Sequence, residues 1–142
     1  MLDINEKAIC RKVANVFSLA DEKNYHPVEF TCRWFSSKTA KLLYEFNLNE
    51  IAQSPFYQIN SFEREMKDIG YEFKMKSEAD YKDVMYWSGY FFSYWIFDEK
   101  ISGEELIEKY NIEGIMKCYD TYHTLSCKNA IENAREEYLK KR

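Results

Sequence analysis

Glycine and proline are scarce in this sequence, which contains four Gly and two Pro among 142 residues. A sandwich or barrel of many strands reverses direction often, and its turns depend on these residue types. Long helices joined by short connections need far fewer of them. The scarcity therefore predicts an all-α fold, and the length fits a single domain, residues 1–142, with a continuous apolar core.

A long apolar run and an excess of basic residues are also missing. No run approaches the roughly 20 apolar residues of a membrane-spanning helix, and Asp3 and Glu6 stand where a secretory signal would be basic and then apolar. The formal charge of −4 opposes nucleic-acid binding, which requires clustered Lys and Arg facing phosphates. The one basic run, Lys140-Lys141-Arg142, is interpreted as a helix end. We expect a cytoplasmic protein with neither a membrane nor a nucleic-acid partner.

Signatures of metal, cofactor and nucleophilic chemistry are missing as well. Neither G-x-x-x-x-G-K nor G-x-G-x-x-G occurs, and no elbow motif surrounds a serine. Asp120 and Cys127 lie near His123, but the spacing of Cys118 and His123 places these two on different faces of a helix. The sequence therefore predicts no metal site and no cofactor. The cysteines show no C-x-x-C spacing and are predicted to be reduced core thiols: Cys10, Cys32, Cys118 and Cys127.

Apolar residues do recur at helical spacing, and capping signals separate the periodic segments. These patterns predict about six to eight helices in a compact bundle. Ser54-Pro55 is the clearest start signal, and Gly70 is suited to end that helix in the left-handed conformation. The stretch 71–76 is interpreted as a loop. In the first half of the chain, the predicted helices are 4–20, one from Pro27 through Trp34, one capped by Ser36 or Ser37, and one after Ser54. The apolar face of the helix after Ser54 consists of Phe56, Ile59, Phe62, Met66 and Ile69. In the second half, the predicted helices are 81–97, one from Ser102 to Tyr110, one capped by Asn111 and running to Tyr122, and one capped by Ser126.

Residues 81–97 are predicted to form the central helix of the bundle. Aromatic and aliphatic residues surround this segment, and a helix that is apolar on all sides is buried. A capping box of Ser77 and Asp80 is predicted to open it. Small residues along it would let neighbouring helices approach closely: Ser88, Gly89 and Ser93.

A short internal similarity relates the two halves of the chain. Asp21-Glu22-Lys23 precedes a short cap and two helices, and Asp98-Glu99-Lys100 precedes a similar arrangement. The similarity suggests a pseudo-repeat of residues 4–70 and 78–140 within the single domain.

Tyrosine is dense in the second half of the chain. A tyrosine combines apolar area with a polar tip, and it is therefore enriched at protein interfaces. Alternatively, the rings fill the core and place their hydroxyls at its rim. The sequence leaves both interpretations open for Tyr81, Tyr86, Tyr90, Tyr94, Tyr119 and Tyr122.

Several short aromatic motifs together resemble one bacterial family. They are Ser37-Lys38-Thr39 with Leu43-Tyr44, Ser54-Pro55-Phe56-Tyr57-Gln58-Ile59-Asn60, Tyr86-Trp87-Ser88-Gly89-Tyr90 with Tyr94-Trp95, and Tyr122-His123-Thr124. Through these motifs, most of residues 36–138 resembles the small helical antitoxins encoded beside ADP-ribosyltransferase-like toxins. The resemblance implies a non-enzymatic, protein-binding module that neutralises a toxin by direct contact or supports another antitoxin.

A contact surface for such a partner is predicted from aromatic residues and one histidine. Tyr and Trp are good interface anchors, and an acidic protein complements a basic enzyme cleft. The expected partner is a toxin-like protein, and the resemblance makes an ADP-ribosyltransferase-like enzyme the candidate. The predicted partner-binding residues are Tyr57, Tyr90, Tyr94, Tyr122 and His123.

Two alternatives belong to other functional classes. In the first, the chain is a small enzyme centred on Asp120, Tyr122 and His123, which requires His123 to line a concave pocket. In the second, it is a phage or host adaptor that inhibits a defence nuclease by mimicking shape and charge, which requires Asp and Glu clustered on one face. The acidic pairs Glu104-Glu105 and Glu136-Glu137 are interpreted as solvated helix faces.

Overall fold

Ten α-helices and no β-strand make up the part of the chain that the computed structural model describes, residues 2–77 and 80–140. The predicted all-α bundle in one compact domain is therefore confirmed. None of these described helices is both long and apolar enough to cross a membrane. The helices are α1 (Ile4–Glu22), α2 (Pro27–Phe35), α3 (Lys38–Tyr44), α4 (Leu48–Ile51), α5 (Pro55–Asp68), α6 (Lys82–Glu99), α7 (Gly103–Lys109), α8 (Ile112–Lys117), α9 (Tyr119–Tyr122) and α10 (Cys127–Glu137).

Side-chain caps begin five of these ten helices at the residues that the sequence predicts. Each capping oxygen accepts a hydrogen bond from the backbone N–H three residues ahead, which satisfies one of the free donors of the first turn. At the other end of α5, Gly70 adopts φ +75° and Tyr71 N–H donates to Met66 O at 2.9 Å, which closes the helix as predicted. The confirmed caps are Ser37, Ser54, Ser102, Asn111 and Ser126.

Helix α6 lies at the centre of the bundle, as the all-round apolar pattern predicts. Its middle residues are buried, and α1 packs along it more extensively than any other helix does. The two helices approach so closely at Gly89 that a Cβ atom there would lie 2.9 Å from Ala14 Cα. Only glycine allows this approach without moving one of the helices.

A cluster of aromatic rings fills the core between α1, α2 and α5. Phe17 meets Phe30 edge to face with ring centroids 5.1 Å apart, and Phe62 meets Phe30 and Trp34 in the same way at 5.2 and 5.4 Å. Edge-to-face and offset arrangements are the favourable geometries for such rings. The packed aromatic core gives α6 a rigid support.

The predicted helix from Ile112 to Tyr122 is divided in two. Helix α8 ends at Cys118, whose N–H bonds to Ile115 O at 3.0 Å in a tightened turn, and α9 begins at Tyr119. The bend allows Met116 and Tyr122 both to be buried. Periodicity alone does not reveal this break.

The short helix α4 is absent from the prediction because distant side chains hold it. The Lys12 ammonium donates to Ile51 O and, at 2.6 Å, to Gln53 O, while the Gln58 amide donates to Glu50 O at 2.6 Å. These bonds satisfy backbone carbonyls at the end of α4, where a cation is also favoured by the helix dipole.

The stretch 71–76 contains no strand, as predicted, but it is paired with the turn after α1. Tyr25 and Met75 form an isolated antiparallel bridge, and Lys76 N–H donates to Asn24 O at 2.8 Å. The Lys76 ammonium and the Asp21 carboxylate form an ion pair in which both side chains are under 10% exposed, at 6% and 8%. A buried charge requires such a partner, so the pair fixes the chain just before α6.

Helix α6 begins without the predicted capping box. Its first residue is Lys82, one position later than predicted, and Asp80 accepts from the Lys82 N–H at 2.9 Å. The Asp21 carboxylate on α1 accepts from the Tyr81 N–H at 3.2 Å. The hydrogen bonds at the start of α6 therefore come from Asp80 and Asp21 and not from Ser77.

The C-terminal basic run is not the end of a helix in the described part of the chain. Helix α10 ends at Glu137, and the Lys140 ammonium donates to Ile107 O at 3.1 Å. The other two residues of the run, Lys141 and Arg142, lie outside the described residues. The pseudo-repeat of 4–70 and 78–140 stays a prediction.

Candidate functional site

Three adjoining grooves follow the first turns of α6, and we call them together the α6 face. The first groove has a volume of about 330 Å³, the second about 450 Å³ and the third about 380 Å³. Tyr86 lines both the first and the second groove, and Tyr119 lines both the first and the third. The first groove is lined by Asp83, Tyr86, Trp87, Tyr90, Tyr119 and His123.

Helical spacing places three tyrosines on one side of α6. Tyr86, Tyr90 and Tyr94 follow one another at four-residue steps, which align them along the helix. Tyr86 is 40% exposed, whereas Tyr90 and Tyr94 are half-buried with ring centroids 6.5 Å apart. The structure therefore brings the predicted residues Tyr90 and Tyr94 together, and it adds Tyr86 at the exposed end of the row.

The predicted residue His123 belongs to the same groove as Tyr90. Its ring stacks on Tyr119 with centroids 4.4 Å apart, and its Nδ1 lies 2.6 Å from Tyr119 O. Tyr119 in turn meets Trp87 edge to face at 5.7 Å, and Trp87 stacks on Phe91 at 4.5 Å. This continuous row of rings makes a stiff wall that runs from solvent into the core.

Phe56 forms the far end of the α6 face, although the sequence predicts it to be buried. It is 65% exposed and lines the second groove with Leu19 and Tyr86. Helix α5 packs on the core through its middle residues, so the first and last members of its predicted apolar stripe, Phe56 and Ile69, fall outside the contact and are both exposed. An exposed phenylalanine beside other rings is a typical interface residue.

Three of the predicted partner-binding residues line none of the three grooves: Tyr94 lies next to Tyr90 on α6, and Tyr57 and Tyr122 lie elsewhere. Tyr57 is 36% exposed on the first turn of α5, but it lines none of the three grooves. Tyr122 is only 3% exposed, and its hydroxyl donates to Glu137 at 3.0 Å. The Tyr122 ring is therefore part of the core and is not available to a partner, because the bend after α8 turns it inward.

Two tyrosine hydroxyls on one side of α6, those of Tyr90 and Tyr94, are neutral hydrogen-bonding groups at physiological pH. Burial raises the pKa of Tyr90, with the nearby Cys10 thiol as a smaller cause. Burial also raises the pKa of Tyr94, followed by the effect of Asp98. Both side chains therefore stay protonated and can donate to an acceptor on a partner.

Carboxylates outnumber lysines along the three grooves. The lining includes Lys82 and Lys117, and the Lys117 ammonium is 3.1 Å from Glu113, which neutralises it. The excess gives this face a negative potential that attracts basic partners. The lining carboxylates are Glu22, Asp83, Glu113 and Asp120.

His123 lines a groove, as the enzyme alternative requires, but the other two residues of that alternative, Asp120 and Tyr122, do not line the same groove. His123 lines the first groove and Asp120 the third, while Tyr122 is buried against Glu137. Among residues 2–77 and 80–140, no group of three or more His, Cys, Asp and Glu side chains is arranged to hold a metal ion.

The cysteines are free thiols, and three of them are unusually poor acids. Burial raises the pKa of Cys10 to about 12 and those of Cys32 and Cys127 to about 11. Cys118 lies 2.8 Å from the Tyr138 hydroxyl. A thiol must ionise to act as a nucleophile or metal ligand, so Cys10, Cys32 and Cys127 are suited to packing.

A larger cavity of about 670 Å³ opens at the other end of α6. Phe46 and Lys100 line it, and both end their helices in the left-handed conformation, at φ 59° and 53°, where glycine is usual. Phe97 packs between Tyr44 and Phe46 with centroid distances of 5.4 and 5.7 Å. The residues that line the cavity come from α1, α2, α3, α6 and α7 and from the turns between them, so no local pattern in the sequence indicates the cavity.

Comparison of the chain with family models, with curated proteins and with solved structures finds no significant match.

Proposed function

We propose that this chain is a non-enzymatic binding module that neutralises a partner protein by direct contact through the α6 face. The sequence motifs that resemble helical antitoxins make an ADP-ribosyltransferase-like toxin the proposed partner. The chain then acts as an antitoxin or an accessory antitoxin. We place this action in the cytoplasm.

The observation that carries the proposal is the run of exposed and half-buried aromatic rings along three connected grooves. Interfaces are held by a few aromatic anchors that fill pockets on the partner and lose their water on binding. Phe56 and Tyr86 are exposed enough to act as such anchors. Tyr119, on α9, lines both the first and the third groove and so joins them.

The support beneath these rings also favours binding. Trp87 and Tyr90 come from the buried central helix, and Trp87 packs on the core residue Phe91. A surface held in one conformation loses little entropy when a partner binds. The negative potential of the face would further accelerate encounter with a basic enzyme surface.

A titration distinguishes a stoichiometric inhibitor from an enzyme. The toxin encoded beside this chain, as the resemblance implies, is held at a fixed concentration well above the dissociation constant, and its transferase activity is measured as the chain is added. We expect inhibition to be complete near a 1:1 ratio, with a complex of that composition on size-exclusion chromatography. Loss of toxicity at a small fraction of one chain per toxin would show turnover and would contradict the proposal.

Paired substitutions locate the contact. Tyr86→Ala and Phe56→Ala each remove an exposed anchor, and a central interface anchor contributes about 2 kcal/mol or more, or roughly a 30-fold change in affinity. Tyr57→Ala is the matched control, since Tyr57 is similarly exposed but lines none of the grooves. Equal affinities for all three variants, with unchanged circular dichroism, would remove the α6 face from the site.

The carboxylates of the same face support a second candidate, an adaptor that inhibits a defence nuclease by charge mimicry. Four carboxylates line the three grooves of one face, which is the clustering that this candidate requires: Glu22, Asp83, Glu113 and Asp120. This candidate predicts that the chain competes with DNA for the nuclease and that competition weakens as salt is added. Inhibition that is indifferent to DNA concentration would exclude it.

A further inference from the structure

The segment 47–53, which contains α4, is held to the bundle by few apolar contacts, and we call it the strap. None of its residues is buried, and Leu48 on α4 is 80% exposed. Ile51 packs partly against the core. The backbone hydrogen bonds that the strap donates stay local, because their acceptors all lie within residues 42–50. A segment with so little buried apolar surface opens at a lower free energy than the core does.

Two side chains from other helices attach the strap to the bundle. The Lys12 ammonium on α1 donates to Ile51 O and, at 2.6 Å, to Gln53 O. The Gln58 amide on α5 donates to Glu50 O at 2.6 Å. Hydrogen bonds from a charged donor are roughly twice as strong as neutral ones. Lys12 therefore provides the stronger attachment and joins two carbonyls of the strap to α1.

Each attachment holds a polar group in surroundings that opening of the strap would improve. Burial lowers the pKa of the Lys12 ammonium, so its charge is better solvated when the strap is open. The Gln58 side chain is buried, and its Oε1 atom has no hydrogen-bond partner among the described residues. Water would reach this atom in the open state. The closed state is therefore held by hydrogen bonds rather than by burial, and those of Lys12 are the strongest.

The residues at the two ends of the strap separate its movement from that of the neighbouring helices. Phe46, just before α4, has φ 59°, a left-handed conformation that bulky residues rarely adopt. Ser54, just after the strap, caps α5 by accepting from the Tyr57 N–H at 3.2 Å. Release of the strap lets Phe46 leave its disfavoured conformation, while the cap keeps α5 intact.

We propose that the strap opens and closes as a unit while the core stays folded, and that the Lys12 ammonium is the latch that keeps it closed. Loss of the positive charge of Lys12 releases the strap. Asn15 lies one turn further along α1 and lines the second groove of the α6 face. The open strap therefore presents the Lys12 ammonium at the edge of that groove, whereas the closed strap keeps it occupied.

Amide hydrogen exchange of the unsubstituted full chain tests whether the strap is a separate unit. The N–H groups of Ile51, Ala52 and Gln53 bond to carbonyls within the strap, so their exchange reports its opening. We expect their exchange rates to stay constant as urea is added below the unfolding transition, whereas those of Phe91 and Phe92 in the buried α6 rise. The same urea dependence for both groups, or strap amides that exchange as in an unfolded peptide, would overturn the proposal.

A substitution at Lys12 tests the latch. Lys12→Met keeps an apolar stem of similar length but removes the charge and its donors, so exchange of the three strap amides should become about tenfold faster, with the α6 amides unchanged. Lys41→Met is the matched control, because it removes the same charge next to the strap from an exposed pair with Glu45 at 3.8 Å, and it should leave the strap amides unchanged. Unchanged exchange in Lys12→Met, or equal acceleration in Lys41→Met, would show that Lys12 is not the latch.

Discussion

Replacing Gly89 with alanine tests whether α1 and α6 are packed as closely as the structure indicates. Alanine stabilises a helix interior by about 1 kcal/mol relative to glycine, so propensity alone predicts a more stable protein. The added Cβ would, however, lie 2.9 Å from both Ala14 Cα and Val13 O. These are backbone atoms of α1 and cannot rotate away, so the whole helix must move.

The cost of that movement exceeds the gain in propensity. Overpacking a well-packed core costs about 1–3 kcal/mol, and the Cβ of Gly89→Ala would also touch the ring of Phe17 at 3.0 Å. Because two of the three close atoms belong to backbone, we take the upper half of that range, about 2–3 kcal/mol. Subtracting the propensity gain of about 1 kcal/mol leaves a net destabilisation of about 1–2 kcal/mol, or a fall in melting temperature of about 3–8 °C, measured by thermal unfolding with circular dichroism.

Gly114→Ala is the matched control in another helix. There the new Cβ would meet the ring of Tyr138 at 2.5 Å, but this side chain is half-buried and able to shift. The net change in stability should stay below about 1 kcal/mol. A Gly89→Ala variant as stable as the unsubstituted chain would refute the close packing of the central helix.

Three further predictions concern stability. Glu65→Gln should destabilise the fold by about 1–2 kcal/mol in chemical unfolding, because the Glu65 carboxylate accepts from the first two N–H groups of α3 at 2.8 and 2.9 Å. Ser93→Ala should cost about 1 kcal/mol by removing the 2.7 Å bond to the Tyr44 hydroxyl, whereas Ser88→Ala should cost nothing, because the buried Ser88 hydroxyl has no partner among the described residues. The free energy of unfolding should fall as pH rises from about 9 to 12, because folding raises the pKa of the Cys10 thiol from 9.0 to about 12 and those of Cys32 and Cys127 to about 11. The folded state thus favours the neutral thiols, and this stabilisation is lost as they ionise. A free energy of unfolding that stays constant between about pH 9 and 12 would contradict this prediction.

Helix starts and the central helix were predictable because their causes are local. A serine or asparagine at the cap satisfies donors only three residues away, as Ser54 and Ser126 do. The burial of α6 follows from apolar residues on all its sides, and Gly89 is where a second backbone approaches. Each of these signals is complete within a short stretch of sequence.

Features that depend on distant partners were not predictable. Lys12 supports α4 from another helix, and the Asp21–Lys76 ion pair joins residues far apart in the chain. The break at Cys118 also depends on what Tyr122 contacts after the bend. Nothing within the sequence of one helix specifies these contacts.

The candidate site was partly predictable for the same reason. Two of the predicted residues, Tyr90 and His123, lie in one groove. Tyr86 lines the same groove because residues four apart share a helix face. Tyr122 was misplaced because its exposure depends on the bend before it. Phe56 was overlooked because a periodic apolar pattern does not show where the neighbouring helix ends.

The α6 face as the contact surface is tested most directly by hydroxyl-radical footprinting of the chain alone and in complex with its toxin. We predict that oxidation of Phe56, Tyr86 and Tyr119 falls on binding. Oxidation of Phe46 and Leu48, two exposed side chains outside the α6 face, should stay unchanged. Protection of Phe46 and Leu48, with Phe56, Tyr86 and Tyr119 oxidised as in the free chain, would contradict it.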